Sequence, residues 1–346
     1  MPVRRISTFA RRLLLLATTV SILAGVAAGC SGDDGEAESA NGDVLLVVTT
    51  VSPITSIAEN IGGTRIRLEG IVPEGINSHT FEPAPSVARL LSQANLIIMN
   101  GLALEKPTLD MAEANKKAEA VILLLGDSTI RPDEWIFDFS FPEKDGDPNP
   151  HLWLDPMLAI RYGELIRDEL SRLDPASAGY YGANFETLRG RIEELDRGIR
   201  AAAESVPAQN RKLLTYHDSW AYFAPRYSMT VIGAAQPSDF SEPSAREVAR
   251  LIDQIKQENV SVVFGSEVFP SDVLETVARE SGARYVDQLR DDDLPGKPGD
   301  ALHSYIGLML ENMRIMIPAL GGAVDALQSV DPSLVFGDGP SGAKYP

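Results

Sequence analysis

Four histidines occur among 346 residues, and three of them stand in loops where an imidazole can reach a cation. His79, in GINSHTFEPAPS, follows a predicted strand at 65–72, and His217, in TYHDSW, follows one at 212–216. His151 lies in NPHLWLDP, a proline-fenced turn ahead of a predicted helix. Asp287, in YVDQL, ends a predicted strand at 284–286 and so occupies the same class of position. Loops beyond the carboxyl ends of strands are where an open α/β sheet carries its binding residues. Three imidazoles and a carboxylate form a donor set for a divalent transition metal; four N/O ligands suit zinc, whereas manganese prefers more oxygen. Glu267, in FGSEVFP, also ends a strand, and is either a rival to Asp287 or a buried acceptor behind a ligand imidazole. His303, in DALHSY, falls on an amphipathic pattern and is assigned a structural or supporting place. A metallohydrolase would need a water position and a general base; four protein ligands leave zinc no open place and no HExxH occurs, so no enzyme is expected.

The elements that must position these residues follow from hydrophobic periodicity. Short Val/Ile/Leu-rich runs at 44–49, 65–72, 95–99 and 120–124 alternate with amphipathic stretches, and a second series does so at 212–216, 229–232, 260–264 and 284–286. This alternation predicts an α/β chain of two similar lobes with mostly parallel sheets covered by helices. Between them, Tyr181, Phe185, Leu188, Ile192, Leu195 and Ile199 recur at helical spacing, bounded by Pro175 and Pro207, which predicts one long rigid helix joining the lobes. Two ligand candidates then come from each lobe, so the metal site belongs in the cleft. The expected organisation is a 43–175 lobe, a linking helix at 176–206, a 207–320 lobe and a flexible Gly/Pro/Ser-rich tail at 321–346.

The chain opens with Arg4, Arg5, Arg11 and Arg12, an apolar run and the small residues Ala27-Ala28-Gly29 before Cys30, the layout of an export signal. A sole cysteine in that place reads as a lipoprotein signal at 1–29 with Cys30 lipidated, followed by a polar tether at 30–42. The product is exported and lipid-anchored to the outer face of the cell membrane. With 31 Lys+Arg against 49 Asp+Glu the formal charge is −18, and no basic cluster follows the first dozen residues, so nucleic acid is excluded as a partner.

Taken in order, TTVSPI, HTFEPAPS, NLIIMNGLALE, NPHLWLDP, the long helix, YHDSWAYFA, SEVFP and YVDQL resemble the metal-binding solute-binding lipoproteins of bacterial ABC importers for zinc and manganese, the cluster A-I or class III binding proteins. The resemblance covers roughly residues 44–320. It implies two α/β lobes bridged by a rigid helix, a transported Zn2+ (alternatively Mn2+) held by His79, His151, His217 and Asp287, and an ABC permease with its ATPase as partners of a monomer. The segment 131–149, where zinc members often carry a His-rich loop, has acids and aromatics but no His. Family members for manganese tend to have Glu where this chain has His217, so zinc leads; a manganese-specific protein of the same class and a surface adhesin lipoprotein with a bound metal are the alternatives.

Overall fold

Val47 and Val48 have no exposed surface, because a strand buried on both faces must be apolar throughout, and around them the first parallel sheet is built. The structure is a computed structural model that describes residues 44–268, 272–336 and 343–345; the signal, Cys30 and the tether lie outside them. The first lobe runs β1 (Leu45–Thr49), α1 (Ser52–Gly62), β2 (Ile66–Gly70), α2 (Pro85–Gln93), β3 (Leu96–Met99), α3 (Lys106–Asn115), β4 (Val121–Leu124) and α4 (Leu125–Thr129), with strand order β2-β1-β3-β4. Helices α5 (Pro156–Leu173) and α6 (Ala178–Ser205) follow. The second lobe repeats the plan with β5 (Lys212–Thr215), α7 (Phe223–Arg226), β6 (Thr230–Ala234), α8 (Ala245–Glu258), β7 (Val262–Ser266), α9 (Asp272–Ser281) and β8 (Arg284–Leu289), in the order β6-β5-β7-β8. Helix α10 (Tyr305–Ala319) returns to pack on α1 and α6. Every strand pairing within both sheets is parallel.

The linking helix α6 has 28 residues, about 42 Å at 1.5 Å per residue. All six apolar positions that predicted it are buried. Their partners explain why the lobes do not behave as separate bodies. One continuous core runs from Val47 and Leu96 of the first sheet through α1, α5, α6 and α10 to Leu213, Val262 and Phe264 of the second. Smaller clusters lie on the outer faces, around Ile97 and Leu91 in one lobe and Val263 and Leu274 in the other. Arg226 Nε donates to Asp155 Oδ1 at 2.5 Å, tying α7 to the residue that caps α5.

The segment at 321–346, expected to be loose, is packed in its described parts. Leu327 and Val330 are buried in the main core, and Val335 N donates to Asn60 Oδ1. Lys344 then joins the free edge of β2: its amide donates to Leu68 O at 2.8 Å and its carbonyl accepts from Gly70 N at 2.9 Å. The physical reason is that an open strand edge presents unpaired backbone groups, which this short extension satisfies.

The loop after β3 is held in an unusual backbone. Gly101, Leu102 and Ala103 have φ of 79°, 50° and 63°. Glycine is required at 101 because a Cβ there would stand 2.0 Å from Asp127 Oδ2, the atom that accepts from Leu102 N. Buried Glu105 pins the other end, accepting from Thr50 Oγ1, Asn100 N and Gly101 N. Burial nevertheless pushes its carboxyl up to about 7. A raised acid favours the folded state below its unfolded value, and that contribution is lost as pH rises through the folded value. The wild type should therefore lose up to about 3 kcal/mol from this group between pH 5 and 8, whereas Glu105→Gln should not. Thermal melts of both proteins across that range test this; a constant difference between their melting temperatures would contradict it.

Candidate metal centre

The cleft brings His79, His151 and His217 together, the one group of potential metal-holding side chains among the described residues. Their Nε2 atoms stand 3.2 Å (His79 to His151), 3.2 Å (His79 to His217) and 2.9 Å (His151 to His217) apart. With metal–nitrogen bonds of 2.0–2.1 Å, such atoms would be about 3.3 Å apart around a tetrahedral ion and about 2.9 Å apart at neighbouring octahedral positions. The triangle is the right size for a first-row divalent ion.

Each imidazole is oriented by its own loop. His79 sits on a turn capped by Asn77, whose Oδ1 accepts from His79 N. His151 directs Nδ1 to Asn149 Oδ1 at 2.8 Å. The amide of Asn149 cannot turn over, because its Nδ2 donates to Asp218 O at 2.7 Å and its Oδ1 also accepts from His151 N. His217, just past the end of β5, directs Nδ1 to Gln236 Oε1 at 2.5 Å. With the protons on Nδ1, neutral rings present bare lone pairs from Nε2 of both His151 and His217. Burial holds His151 and His79 well below the ordinary imidazole range, and the neighbouring imidazoles push the same way. His217 is also lowered by burial, against the opposing pull of Asp292, Gln236 and Asp138. Two lone pairs aimed at each other across 2.9 Å repel, and a cation between them turns that repulsion into two bonds.

The carboxylate nearest the triad is not the one the sequence reading chose. Asp287 stands exposed on β8, and its Oδ1 accepts from Gln288 N and Tyr285 OH of its own strand. Asp291 instead is 3% exposed, with Oδ2 3.7 Å from His217 Nε2. The cause is the length of β8. It runs to Leu289 through a break in register opposite Phe264–Ser266, with Gln288 at φ 80°, so the first residues beyond its carboxyl end are Arg290 and Asp291. The strand-end rule holds, applied three residues too early. Glu267 supports this arrangement: its Oε1 accepts from Asp291 N at 3.0 Å, so it anchors a backbone amide rather than an imidazole. His303 lies outside the cluster, on the turn before α10 rather than on a helix, with its ring 4.7 Å from that of Tyr345.

Sequence reading also passed over Asn149, Gln236 and the run Asp291-Asp292-Asp293. All three acids of that run are buried, which three consecutive acids on a solvated face would not be. Asp292 Oδ2 accepts from Ser78 Oγ at 2.6 Å and Asp293 Oδ2 from Gly75 N at 2.7 Å, so the run also holds the loop that carries His79. Burial, followed by the charge of Asp292, pushes Asp291 well above the usual carboxylate range. Burial raises Asp293 to about 6. A divalent ion at the triad would relieve both the lone-pair repulsion and the crowding of carboxyl groups.

The chain folds as a two-lobed α/β protein whose cleft gathers three imidazoles that could hold a metal ion. Residues 47–319 match the family described as zinc-uptake complex component A, periplasmic, and the chain belongs to that family. Relatives include the manganese-binding lipoprotein MntA of Halalkalibacterium halodurans, 28% identical over 87% of this chain and 96% of that protein. The iron-binding protein YfeA of Yersinia pestis is 30% identical over 80% of this chain and 85% of its own length. The solved structure of the periplasmic zinc-binding protein TroA from Treponema pallidum superposes with a TM-score of 0.73 at 24% identity, covering 80% of this chain and 99% of that one.

Isothermal titration with zinc separates the residues. His217→Ala should lose at least about a hundredfold in affinity and Asp291→Asn about tenfold or more, whereas Asp287→Asn and His303→Ala should stay close to wild type. Equal losses in Asp287→Asn and Asp291→Asn would contradict this assignment.

Proposed function

We propose that this chain is the extracytoplasmic component of an ABC importer that captures a divalent transition metal and hands it to a membrane permease, with zinc as the preferred cargo. The observation that carries this reading is the convergence of three Nε2 atoms within 3.2 Å in a buried cleft. The donor set favours zinc: three neutral imidazoles with one carboxylate, Asp291, make a compact N/O site, whereas manganese gains from more oxygen ligands. The relatives carry manganese, iron and zinc in their names, so the choice of metal rests on the donors rather than on likeness. Four protein donors around one ion leave no position for an activated water, which supports capture rather than hydrolysis.

Among the described residues no helix is long and apolar enough to cross a membrane. Attachment through a lipid on Cys30 accounts for the delivery of metal at the membrane surface, beside the permease and its ATPase, by a monomer. Cys30→Ser should release the protein from the membrane fraction or leave an uncleaved precursor, and mass spectrometry of the N-terminal peptide checks it.

The decisive measurement is metal analysis of protein purified without chelator, followed by competition. Zinc should displace manganese with a preference of at least about a hundredfold, as the Irving–Williams order and the donor set both require. A preference for manganese at equal free metal would contradict the zinc assignment, and growth of a deletion strain unimpaired by zinc depletion would contradict the role in zinc import.

A further inference from the structure

His151 and His217 are 0% and 3% exposed, while His79 is half-buried. Of the three, His79 alone lines the solvent-connected cavity of about 100 Å³ that opens beside the site, along with Leu102, Phe141, Ser238 and Phe240. An ion that reaches the triad from this side must pass the outer face of His79.

That face is covered. The ring of Phe240 stacks on His79 with centroids 4.5 Å apart and planes at 19°, and Phe141 closes the remaining side at 5.5 Å from His79 and 6.0 Å from Phe240. Phe240 belongs to the second lobe and His79 to the first, so the stack spans the mouth of the cleft. Phe240 also has φ 57°, a left-handed backbone that a bulky residue rarely adopts, set by a turn in which its amide donates to Pro237 O at 3.0 Å. Strained backbone of this kind persists where the surroundings impose it and is relieved when they let go. The same short segment begins at Gln236, whose side chain accepts from His217 Nδ1 and whose carbonyl accepts from Ser140 Oγ at 2.6 Å, next to Phe141. One loop therefore orients a ligand imidazole at its start and covers another at its end.

We propose that Phe240 is the gate for metal exchange: its ring, stacked across the cleft on His79, must swing aside for the ion to pass in either direction. The loop 236–240 is the moving part, and a return of Phe240 to negative φ is the displacement that opens it. The ring then governs the rates of uptake and release together and leaves the equilibrium affinity nearly unchanged, because a barrier common to both directions cancels in their ratio.

This inference rests on the histidine triad as the metal site, and the experiment separates the two. Full-length mature protein loaded with zinc is mixed with an excess of chromophoric chelator, and uptake is followed in the reverse direction by stopped flow. Phe240→Gly, which keeps the left-handed backbone, and Phe240→Leu, which keeps apolar bulk without a stacked ring, are compared with Val44→Ala, an exposed apolar residue just ahead of β1, at the opposite end of the sheet from the loop that carries His79. Both Phe240 variants should release and take up zinc about three- to tenfold faster, the factor carried by an aromatic stack, with the dissociation constant within about twofold of wild type and Val44→Ala unchanged. Rates equal to wild type in both Phe240 variants would overturn the gate. Faster release with unchanged uptake would overturn it too, by making the ring a stabilising contact of the bound state. If His217→Ala bound zinc as tightly as wild type, the triad itself would be wrong; loss of binding in that variant with unaltered Phe240 kinetics would reject the gate alone.

Discussion

The structure depends on holding three imidazole nitrogens in a small buried triangle whose lone pairs repel one another. Left to themselves, buried neutral rings would rotate to find donors. Asn149 and Gln236 prevent this by taking the Nδ1 protons, which commits both Nε2 atoms to the cleft. Behind them stands a further restraint: Asn100 Nδ2 donates to Pro150 O in the turn that carries His151, and Asn100 is itself held by Tyr162 OH, which donates to its Oδ1. A cation placed between the rings would relieve this preorganised repulsion.

Such a site needs lobes that keep their spacing, and the core supplies this. Helices α5, α6 and α10 share one apolar core with strands of both sheets, and beneath the site Tyr305 OH donates to Trp153 O while Trp153 Nε1 donates to Asp291 O. A chain of hydrogen bonds thus leads from the returning helix to the acid beside the triad. Because the two lobes share one apolar core, a large hinge motion would expose surface that the packing has removed from water. Smaller movements of loops at the mouth cost far less, since those loops are tied by a few hydrogen bonds such as Ser78 to Asp292 and Ser140 to Gln236 rather than by the shared core.

Charge follows the same logic. A chain with a formal net charge of −18 holds a pocket in which burial lowers the imidazoles of His79 and His151 and so favours their neutral form. Asp291, Asp292 and Asp293 are kept inside, their carboxyls raised chiefly by burial, with Asp292 and Asp293 adding to the rise of Asp291 and Asp293 to that of Asp292. Asp292 is both an electrostatic neighbour of His217 and, with Asp293, part of the clasp on the His79 loop, so the geometry and the charge of the cleft are coupled through the same short run.

The sequence by itself determined the eight strands in two series, the long helix with its six buried apolar positions, and the three histidines, because parallel strands and amphipathic helices write their burial directly into residue periodicity. What the tertiary structure decided was less local. That Asp291 rather than Asp287 lies beside His217 follows from where β8 ends, and that depends on a register break against β7 which no periodicity records. The packed tail follows from a free edge on β2 more than two hundred residues earlier in the chain. Asn149, Gln236 and Phe240 have composition and spacing that fit many roles; they acquire theirs only when folding brings a particular imidazole within reach. Long-range contacts of that kind are properties of the assembled lobes, whereas the pattern that assembles them is a property of each segment alone.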